Sequence, residues 1–201
     1  MKKYVITITR EFGSLGRPIA KRLSELLNVE YYDRDIVEAT AEKMNLPVSV
    51  ISKNEEKKSG FFRMLFPLGT ESPEQQSKLF DVQSQIIQKI AEKESCIIVG
   101  RCADYVLEHE PNAMHVYIYA PYAERLANCV GTLGIDKNEA KRMIAEVDRA
   151  RMAYHKFFAG YSPNDPKHKH ICINSELLEV EGTAQALAAI AKVKFGEEGN
   201  Q

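Results

Sequence analysis

The chain has 201 residues, a formal net charge of -1 from 27 Lys and Arg against 28 Asp and Glu, and 44% hydrophobic residues. This length favours one domain with a mobile appendage over two full domains. Because the charges nearly balance, no overall field would attract nucleic acid or an anionic membrane, and we expect any anion site to be local.

The apolar runs and the cysteines indicate the cellular compartment in which we expect the protein. No apolar run approaches the length of a membrane span, and the N-terminal lysines lead into a strand-like stretch rather than a signal-peptide core. We therefore expect a cytoplasmic protein that binds neither membrane nor nucleic acid. The cysteines form no close pair of the Cys-x-x-Cys kind, which favours reduced, mostly buried thiols. They are Cys96, Cys102, Cys129 and Cys172.

The first elements are predicted to be a strand, a glycine turn and a helix. Residues 4–9 are rich in β-branched side chains, as in a short strand. Gly13 and Gly16 then interrupt the chain before apolar residues recur at helical spacing over residues 19–27. A loop that holds phosphate needs small residues, a helix N-terminus and a cation, and residues 9–22 supply all three. The alternative is that the two glycines merely make a tight strand-to-helix turn.

The rest of the chain alternates short apolar runs with amphipathic stretches. Further strands are predicted at residues 30–32, 96–99, 114–119 and 171–174. Further helices are predicted at residues 33–44, capped by Asp33 or Asp35, and at 48–52, 74–94, 103–109, 122–130, 136–158 and 179–194. This alternation indicates one parallel sheet covered by helices on both faces, with ligands at the carboxyl ends of the strands.

Between residues 53 and 76 the chain turns polar and irregular, with prolines and glycines. It nevertheless carries a group of large apolar side chains. We interpret residues 54–76 as a mobile flap whose apolar patch could serve a homo-oligomer or another partner. The patch consists of Phe61, Phe62, Leu65 and Phe66.

Six segments, each weak alone, form a specific pattern through their order and spacing. They are residues 6–17, residues 31–36, residues 98–104, residues 115–121 with Arg125, residues 147–151 with Tyr154, and residues 171–175. In this pattern the chain resembles the nucleoside monophosphate kinases, and most closely the cytidylate-kinase-like proteins.

The resemblance implies a three-layer α/β fold of the P-loop type in one domain of residues 1–201. This fold has a parallel sheet of about five strands with helices on both faces, and a helical lid, here at about residues 132–165. The resemblance also implies ATP with Mg²⁺, and phosphoryl transfer to a small acceptor such as CMP or another nucleoside monophosphate.

The phosphate loop departs from the common pattern G-x-x-x-x-G-K-[ST]. In a gap-free alignment with a typical cytidylate-kinase loop, Gly16 falls at the lysine position and Arg17 at the first hydroxyl position; a one-residue insertion would instead put Arg17 at the lysine position. Ser14 is then the nearest substitute hydroxyl for Mg²⁺. Arg10 is a second candidate cation, unless it pairs with Glu11. The residues assigned to the donor phosphates are Gly13, Ser14, Leu15, Gly16, Arg17 and Arg10.

Three residues at strand ends are assigned to the acceptor side. Arg101 leaves a buried strand, and the resemblance makes it the clamp on the acceptor's phosphate; a structural ion pair with Asp104 or Asp33 is the alternative. Asp33 resembles the acceptor-side acidic position, unless it caps a helix. Asp104 is assigned to Mg²⁺, held through water, or to the acceptor hydroxyl, unless it only favours the helix dipole.

Arginines on the long helix at residues 136–158, with Arg142 among them, resemble the lid that closes over the transferring phosphoryl group. Arg149 and Arg151 point to different sides of a helix, so only one is expected to meet phosphate, and the family pattern favours Arg151. His155 on this helix is expected to pack or to make a pH-sensitive contact. Residues 167–170 carry two histidines and two lysines, which we interpret as a solvated loop rather than a metal site.

These observations predict an ATP-dependent phosphotransferase in which Arg17, Arg101 and Arg151 position and neutralise phosphate, with Asp104 in support. A second hypothesis is a nucleotide-binding sensor that kept the fold and lost fast turnover.

Overall fold

The computed structural model describes residues 3–33 and 73–196 of the chain. The helices predicted at residues 33–44 and 48–52 and the apolar patch therefore lie outside the described residues, apart from Asp33. Of the flap predicted at residues 54–76, only residues 73–76 are described, and they begin a helix.

Five parallel strands form one sheet in the order β2-β3-β1-β4-β5. They are β1 (Val5–Arg10), β2 (Glu30–Tyr32), β3 (Cys96–Val99), β4 (Ala113–Tyr119) and β5 (Ile171–Asn174). The central strand β1 pairs with β3 from Val5 opposite Cys96, and with β4 from Val5 opposite Ala113. Since all strands are parallel, their carboxyl ends meet at one edge of the sheet.

Six α-helices lie in the described part of the chain. They are α1 (Gly16–Leu27), α2 (Pro73–Lys93), α3 (Ala103–Val106), α4 (Tyr122–Gly131), α5 (Lys137–Ala159) and α6 (Glu179–Phe195). They connect successive strands and cover both faces of the sheet, so the predicted α/β fold with a parallel sheet of five strands is confirmed. No helix among the described residues is long and apolar enough to cross a membrane.

Alternation along β1 builds two cores, because successive side chains of a strand point to opposite faces. Ile6 and Ile8 are fully buried on the face covered by α1 and α6. Val5 is buried on the other face, against α2 and α3. A third cluster joins Phe12, just after β1, to α4 and α5. The loop after β1 is therefore anchored on its apolar side.

The described helix after β3 departs from its predicted bounds by more than one residue. The helix predicted at residues 103–109 ends at Val106. The amide of Glu110 then donates to the carbonyl of Leu107, and that of Ala113 to the carbonyl of Glu110, so turns lead into β4. Pro111 has no amide hydrogen and cannot continue the helix.

Candidate phosphate-binding site

The loop between β1 and α1 is shaped by two residues with positive φ. Gly13 has a φ of 81°, and Leu15, which precedes the first turn of α1, has a φ of 55°. A Cβ atom at Gly13 would lie 2.7 Å from the carbonyl oxygen of Arg125, so only glycine fits here. The loop is thus both tightly turned and pressed against α4.

The carbonyl groups of this loop are bound by protein. The carbonyl of Gly13 accepts a hydrogen bond from Asn128 Nδ2 at 3.1 Å, and that of Ser14 accepts one from Ser175 Oγ at 2.9 Å. The carbonyl of Glu11 accepts from Ser14 Oγ at 2.9 Å. These contacts fix the loop from helix α4 and from the end of β5.

The amides of the same loop have no such partners. Within residues 3–33 and 73–196, no acceptor receives a hydrogen bond from the backbone N–H groups of residues 13–17. Gly13, Ser14 and Gly16 are buried. Buried amides without acceptors are costly, and a run of them at a helix N-terminus favours an anion. The loop is therefore a candidate phosphate site.

A second set of contacts joins the loop to α5, the helix that the sequence analysis expects to act as a lid. Asp148 Oδ1 accepts a hydrogen bond from the amide of Phe12 at 2.8 Å, and Asp148 Oδ2 forms an ion pair with Arg125. Arg125 Nη1 also donates to the carbonyl of Phe12 at 3.2 Å, and its Nε lies 3.4 Å from Glu11 Oε2. Glu11 thus faces Arg125, and the alternative pairing of Arg10 with Glu11 is not observed.

The predicted arginines come together beside the loop. Burial lowers the pKa of Arg10 well below its usual range, and repulsion from Arg151, Arg17 and Arg101 lowers it further. Burial likewise lowers the pKa of Arg151 to about 10, against the attraction of Asp148. In the part of the chain that the structure describes, no carboxylate forms an ion pair with Arg10 or Arg151. Clustered guanidinium groups without counter-charges favour a bound anion.

Arg17 and Asp33 meet in an ion pair. Arg17 Nη2 lies 3.2 Å from Asp33 Oδ2, and Tyr31 donates its hydroxyl hydrogen to the same oxygen at 3.2 Å. The Nε atom of Arg17 is buried without a hydrogen-bond partner. The donor-side cation and the acceptor-side carboxylate of the sequence prediction are therefore neighbours in space.

The turn after β3 is strained around Arg101. Gly100, Arg101 and Cys102 have successive φ values of 79°, 60° and 52°. Two non-glycine residues in a row with left-handed backbone are uncommon, and such strain clusters at functional sites. The turn presents Arg101 at the carboxyl edge of the sheet, beside Arg10. Of the two carboxylates considered as structural partners, Asp33 pairs with Arg17 and Asp104 pairs with Lys169.

Asp104 lies in a buried cluster instead. Its carboxylate binds the ammonium of Lys169 and lies 2.9 Å from His155 Nε2, and the three side chains are only 1%, 0% and 4% exposed. Burial alone would raise the pKa of Asp104, but His155 and Lys169 outweigh it and hold the pKa below its ordinary value. His155 Nδ1 faces the carbonyl of Tyr161 at 3.0 Å, so both ring nitrogens face oxygen acceptors. Asp104 therefore joins α3 to the lid helix.

The assignment of Mg²⁺ to Ser14 and Asp104 does not fit this geometry. Ser14 is fully buried and donates its hydroxyl hydrogen to the carbonyl of Glu11. The Asp104 oxygens are occupied by Lys169 and His155. Mg²⁺ prefers near-octahedral oxygen ligands that keep several waters, and neither buried group offers that. Among residues 3–33 and 73–196, no cluster of three or more potential metal ligands occurs.

The lid helix confirms the expected separation of its arginines. Arg151 turns inward, where Nη1 donates to the carbonyl of Arg10 at 3.1 Å and the guanidinium lies 5.9 Å from the centre of the Phe12 ring. Arg149 and Arg142 are exposed. The solvated-loop interpretation of residues 167–170 holds for three of the four residues, which are exposed. Lys169 is the exception, because its side chain is wholly buried against Asp104.

Sequence reasoning missed the residues that hold the loop. Asn128 lies on α4, Asp148 on α5 and Ser175 just after β5, and they bind the backbone of Gly13, Phe12 and Ser14, respectively; Lys169, which was also missed, binds Asp104. A polar residue on an amphipathic helix looks like a surface residue in sequence. The only available signal was the resemblance, which included Arg125 and residues 147–151 without assigning them a partner.

Solved structures share this architecture. An uncharacterized protein from Eubacterium ventriosum superposes with a TM-score of 0.73 at 24% identity, covering 94% of this chain and 99% of that chain. A shikimate kinase from Bacteroides thetaiotaomicron gives 0.54 at 14% identity, covering 94% and 98%. A sugar kinase from Janibacter sp. gives 0.50 at 11% identity, covering 96% and 94%. At these identities the likeness establishes the fold.

A comparison with curated proteins finds no match. The model of the cytidylate kinase-like family matches residues 5–177, which include every strand of the sheet, the phosphate loop and the lid helix. The chain therefore belongs to the cytidylate kinase-like family.

Proposed function

We propose that the protein is an ATP-dependent phosphotransferase that moves the γ-phosphate of ATP to a nucleoside monophosphate or another small acceptor. The observation that carries this proposal is the run of amides at residues 13–17, without acceptors in the described part of the chain, beside arginines from several elements. Helix N-terminal amides bind phosphate, and guanidinium groups offset the charge of a transferring phosphoryl group.

Each arginine has a role in this proposal. The loop amides and Arg17 hold the donor phosphates, since Arg17 follows directly on the loop at the start of α1. Arg101 holds the phosphate of the acceptor at the end of β3, and Asp33 orients the acceptor from the neighbouring strand β2. Arg151 meets the moving group, because the lid helix carries it to the end of β1.

Catalysis then rests on position and charge rather than on a covalent step. The half-buried arginines replace the water that would otherwise solvate the phosphates, and the lid helix restricts solvent access. Mg²⁺ accompanies ATP in kinases of this fold and neutralises phosphate charge when bound. Ser14 and Asp104 do not hold it here, so no step is assigned to a protein-bound metal ion.

The wider organisation belongs to the same proposal. Residues 1–201 form one kinase domain in the cytoplasm, with a flap at 54–76 and a lid at 132–165. The flap's apolar patch lies outside the described residues, and we propose that it mediates self-association. Light scattering of the full chain and of a chain lacking residues 54–76 tests this. If both proteins have the same number of protomers per particle, the proposal is contradicted.

The test of the proposed reaction is an acceptor panel. ATP with Mg²⁺ is incubated with nucleoside monophosphates, nucleosides and small phosphorylated compounds, and ADP release is followed by a coupled assay. At least one anionic acceptor should stimulate ADP release well above the rate without acceptor. No stimulation by any acceptor, with ATP nevertheless bound, would contradict the transferase.

That second outcome would support a nucleotide-binding sensor. This candidate is favoured by two features of the loop: in the gap-free alignment glycine falls at the position of the usual lysine, and the nearest hydroxyl, on Ser14, is buried. Ground-state phosphate binding tolerates these changes more easily than fast transfer does. The sensor predicts tight ATP binding in calorimetry and no product with any acceptor.

A further inference from the structure

In the gap-free alignment, the lysine position of the common phosphate loop corresponds to Gly16, which has no side chain, yet its surroundings are filled. Gly16, the first residue of α1, has no left-handed φ, so its backbone conformation does not require glycine. The space does. A Cβ atom at Gly16 would lie 2.7 Å from Cβ and 2.9 Å from Cγ of Arg10, closer than carbon atoms approach without a bond. A side chain at position 16 and the stem of Arg10 exclude each other.

The far end of Arg10 is also accommodated by a glycine. A Cβ atom at Gly100 would lie 2.4 Å from Arg10 Nη1, so the guanidinium rests directly on the backbone at the end of β3. The amide of Gly100 donates to the carbonyl of Ile8 at 2.9 Å, which fixes this backbone beside β1. Arg10 therefore spans from the phosphate loop to the turn that carries Arg101.

Within residues 3–33 and 73–196, no carboxylate balances the charge of Arg10. Its neighbour Glu11 faces Arg125, as strand alternation requires, and no carboxylate of the described residues forms an ion pair with Arg10. A largely desolvated guanidinium surrounded by other guanidinium groups is stabilised when an anion lies between them.

From these contacts we propose that Arg10 supplies, from strand β1, the cation that lysine supplies in the common loop, and that position 16 is glycine because it leaves room for the stem of Arg10. This inference rests on the proposed function. Arg10 contacts the outer phosphates of the donor on the side that faces Arg101, where its planar fork can grip two oxygens at once. A lysine at position 16 became sterically incompatible with this arrangement.

The test is a double-mutant cycle read by titration calorimetry with ATP and with inorganic triphosphate. Arg10→Ala should weaken binding by at least about tenfold, the scale of one lost charged hydrogen bond. Gly16→Ala changes no charge and favours helix, yet it should weaken binding several-fold because its methyl group displaces the Arg10 stem. Alanine at position 10 would keep the Cβ atom that lies 2.7 Å from a Cβ at position 16, so the cycle is closed with Arg10→Gly. Gly16→Ala combined with Arg10→Gly should be no worse than Arg10→Gly alone. Additive losses, or unchanged affinity in either single variant, would overturn the proposal.

Two further variants sharpen the test. Gly131→Ala is the matched control, because a Cβ atom there meets nothing within 4 Å; it should bind like wild type. Arg10→Gly combined with Gly16→Lys restores a lysine where both Cβ and Cγ of Arg10 have been removed, and should bind more tightly than Arg10→Gly. Thermal unfolding of each variant separates loss of binding from loss of folding, and an affinity that fell only with the fraction folded would count against the proposal.

The outcomes separate this inference from the proposed function. Binding of ATP by wild type with the expected coupling, but no product with any acceptor, would support the role of Arg10 and refute the transferase. Product formation by wild type, with unchanged ATP affinity in Arg10→Ala, would support the transferase and refute the role of Arg10. Failure of wild type to bind ATP or triphosphate would overturn both.

Discussion

Replacing Asp104 by Asn tests whether this carboxylate is structural. The change keeps the volume of the side chain but removes the negative charge from a cluster in which Asp104 and Lys169 are 1% and 0% exposed. The ammonium of Lys169 would then be buried without a counter-charge. His155 Nε2, at 2.9 Å, would also lose its charged acceptor.

The expected loss is large. Breaking a buried ion pair by removing one partner costs about 3–5 kcal/mol, because the remaining charge stays desolvated. This is a substantial part of the roughly 5–15 kcal/mol that stabilises a typical domain. Since Lys169 precedes β5 while Asp104 begins α3, the loss should appear as global destabilisation.

The assay is urea unfolding of wild type and Asp104→Asn, with Asp136→Asn as control. Asp136 is an exposed N-cap of α5, and Asn caps helices equally well, so the control should be neutral. Combining Asp104→Asn with Lys169→Met should recover most of the loss, because no unpaired charge remains. A loss below about 1 kcal/mol in Asp104→Asn would refute the buried ion pair.

The pH dependence has a defined sign. The pKa of Asp104 in the folded protein lies below its ordinary value, so the carboxylate contributes stability above the unfolded pKa of about 4 and loses it as the pH falls further. The difference in unfolding free energy between wild type and Asp104→Asn should shrink below that pH. A constant difference down to strongly acidic pH would contradict the assignment.

Three further predictions concern the phosphate site. Arg151→Ala should lower turnover roughly a hundredfold and leave ATP affinity nearly intact, because the lid cation serves the transition state. The control Arg149→Ala should change neither turnover nor affinity. Equal losses of binding and turnover in Arg151→Ala would make Arg151 a ground-state ligand. Arg17→Ala should weaken ATP binding about tenfold in calorimetry, while Arg22→Ala on the same helix should not. Asp148→Asn should lower the unfolding free energy by about 1–2 kcal/mol, because it weakens contacts to the loop and to α4; an unchanged urea midpoint would speak against them.

Much of the fold could be predicted from the sequence because its apolar residues recur with strong strand or helix periodicity. Residues 171–174 and 30–32 were predicted as strands with the observed bounds. The long lid helix was predicted within one residue at each end. These patterns survive in the structure because apolar side chains at period 2 or 3.6 determine which face is buried.

The candidate site could be predicted only in part from the sequence. The glycine turn and its arginines are local in sequence, but the pairing of Arg10 with Glu11 stayed open until the structure placed Glu11 beside Arg125. The role of Asp104 was not accessible, since its partner Lys169 lies 65 residues away and only the fold brings them together. Burial of Ser14 likewise depends on packing that no local pattern records.

The most direct test of the central claim is a crystal structure of the protein with ADP. The diphosphate is predicted to accept hydrogen bonds from the amides of residues 13–17, with the guanidinium groups of Arg17 and Arg10 against its oxygens. Nucleotide bound at another surface, or loop amides bonded to protein groups while the nucleotide lies elsewhere, would contradict the phosphate site and the proposed reaction that depends on it.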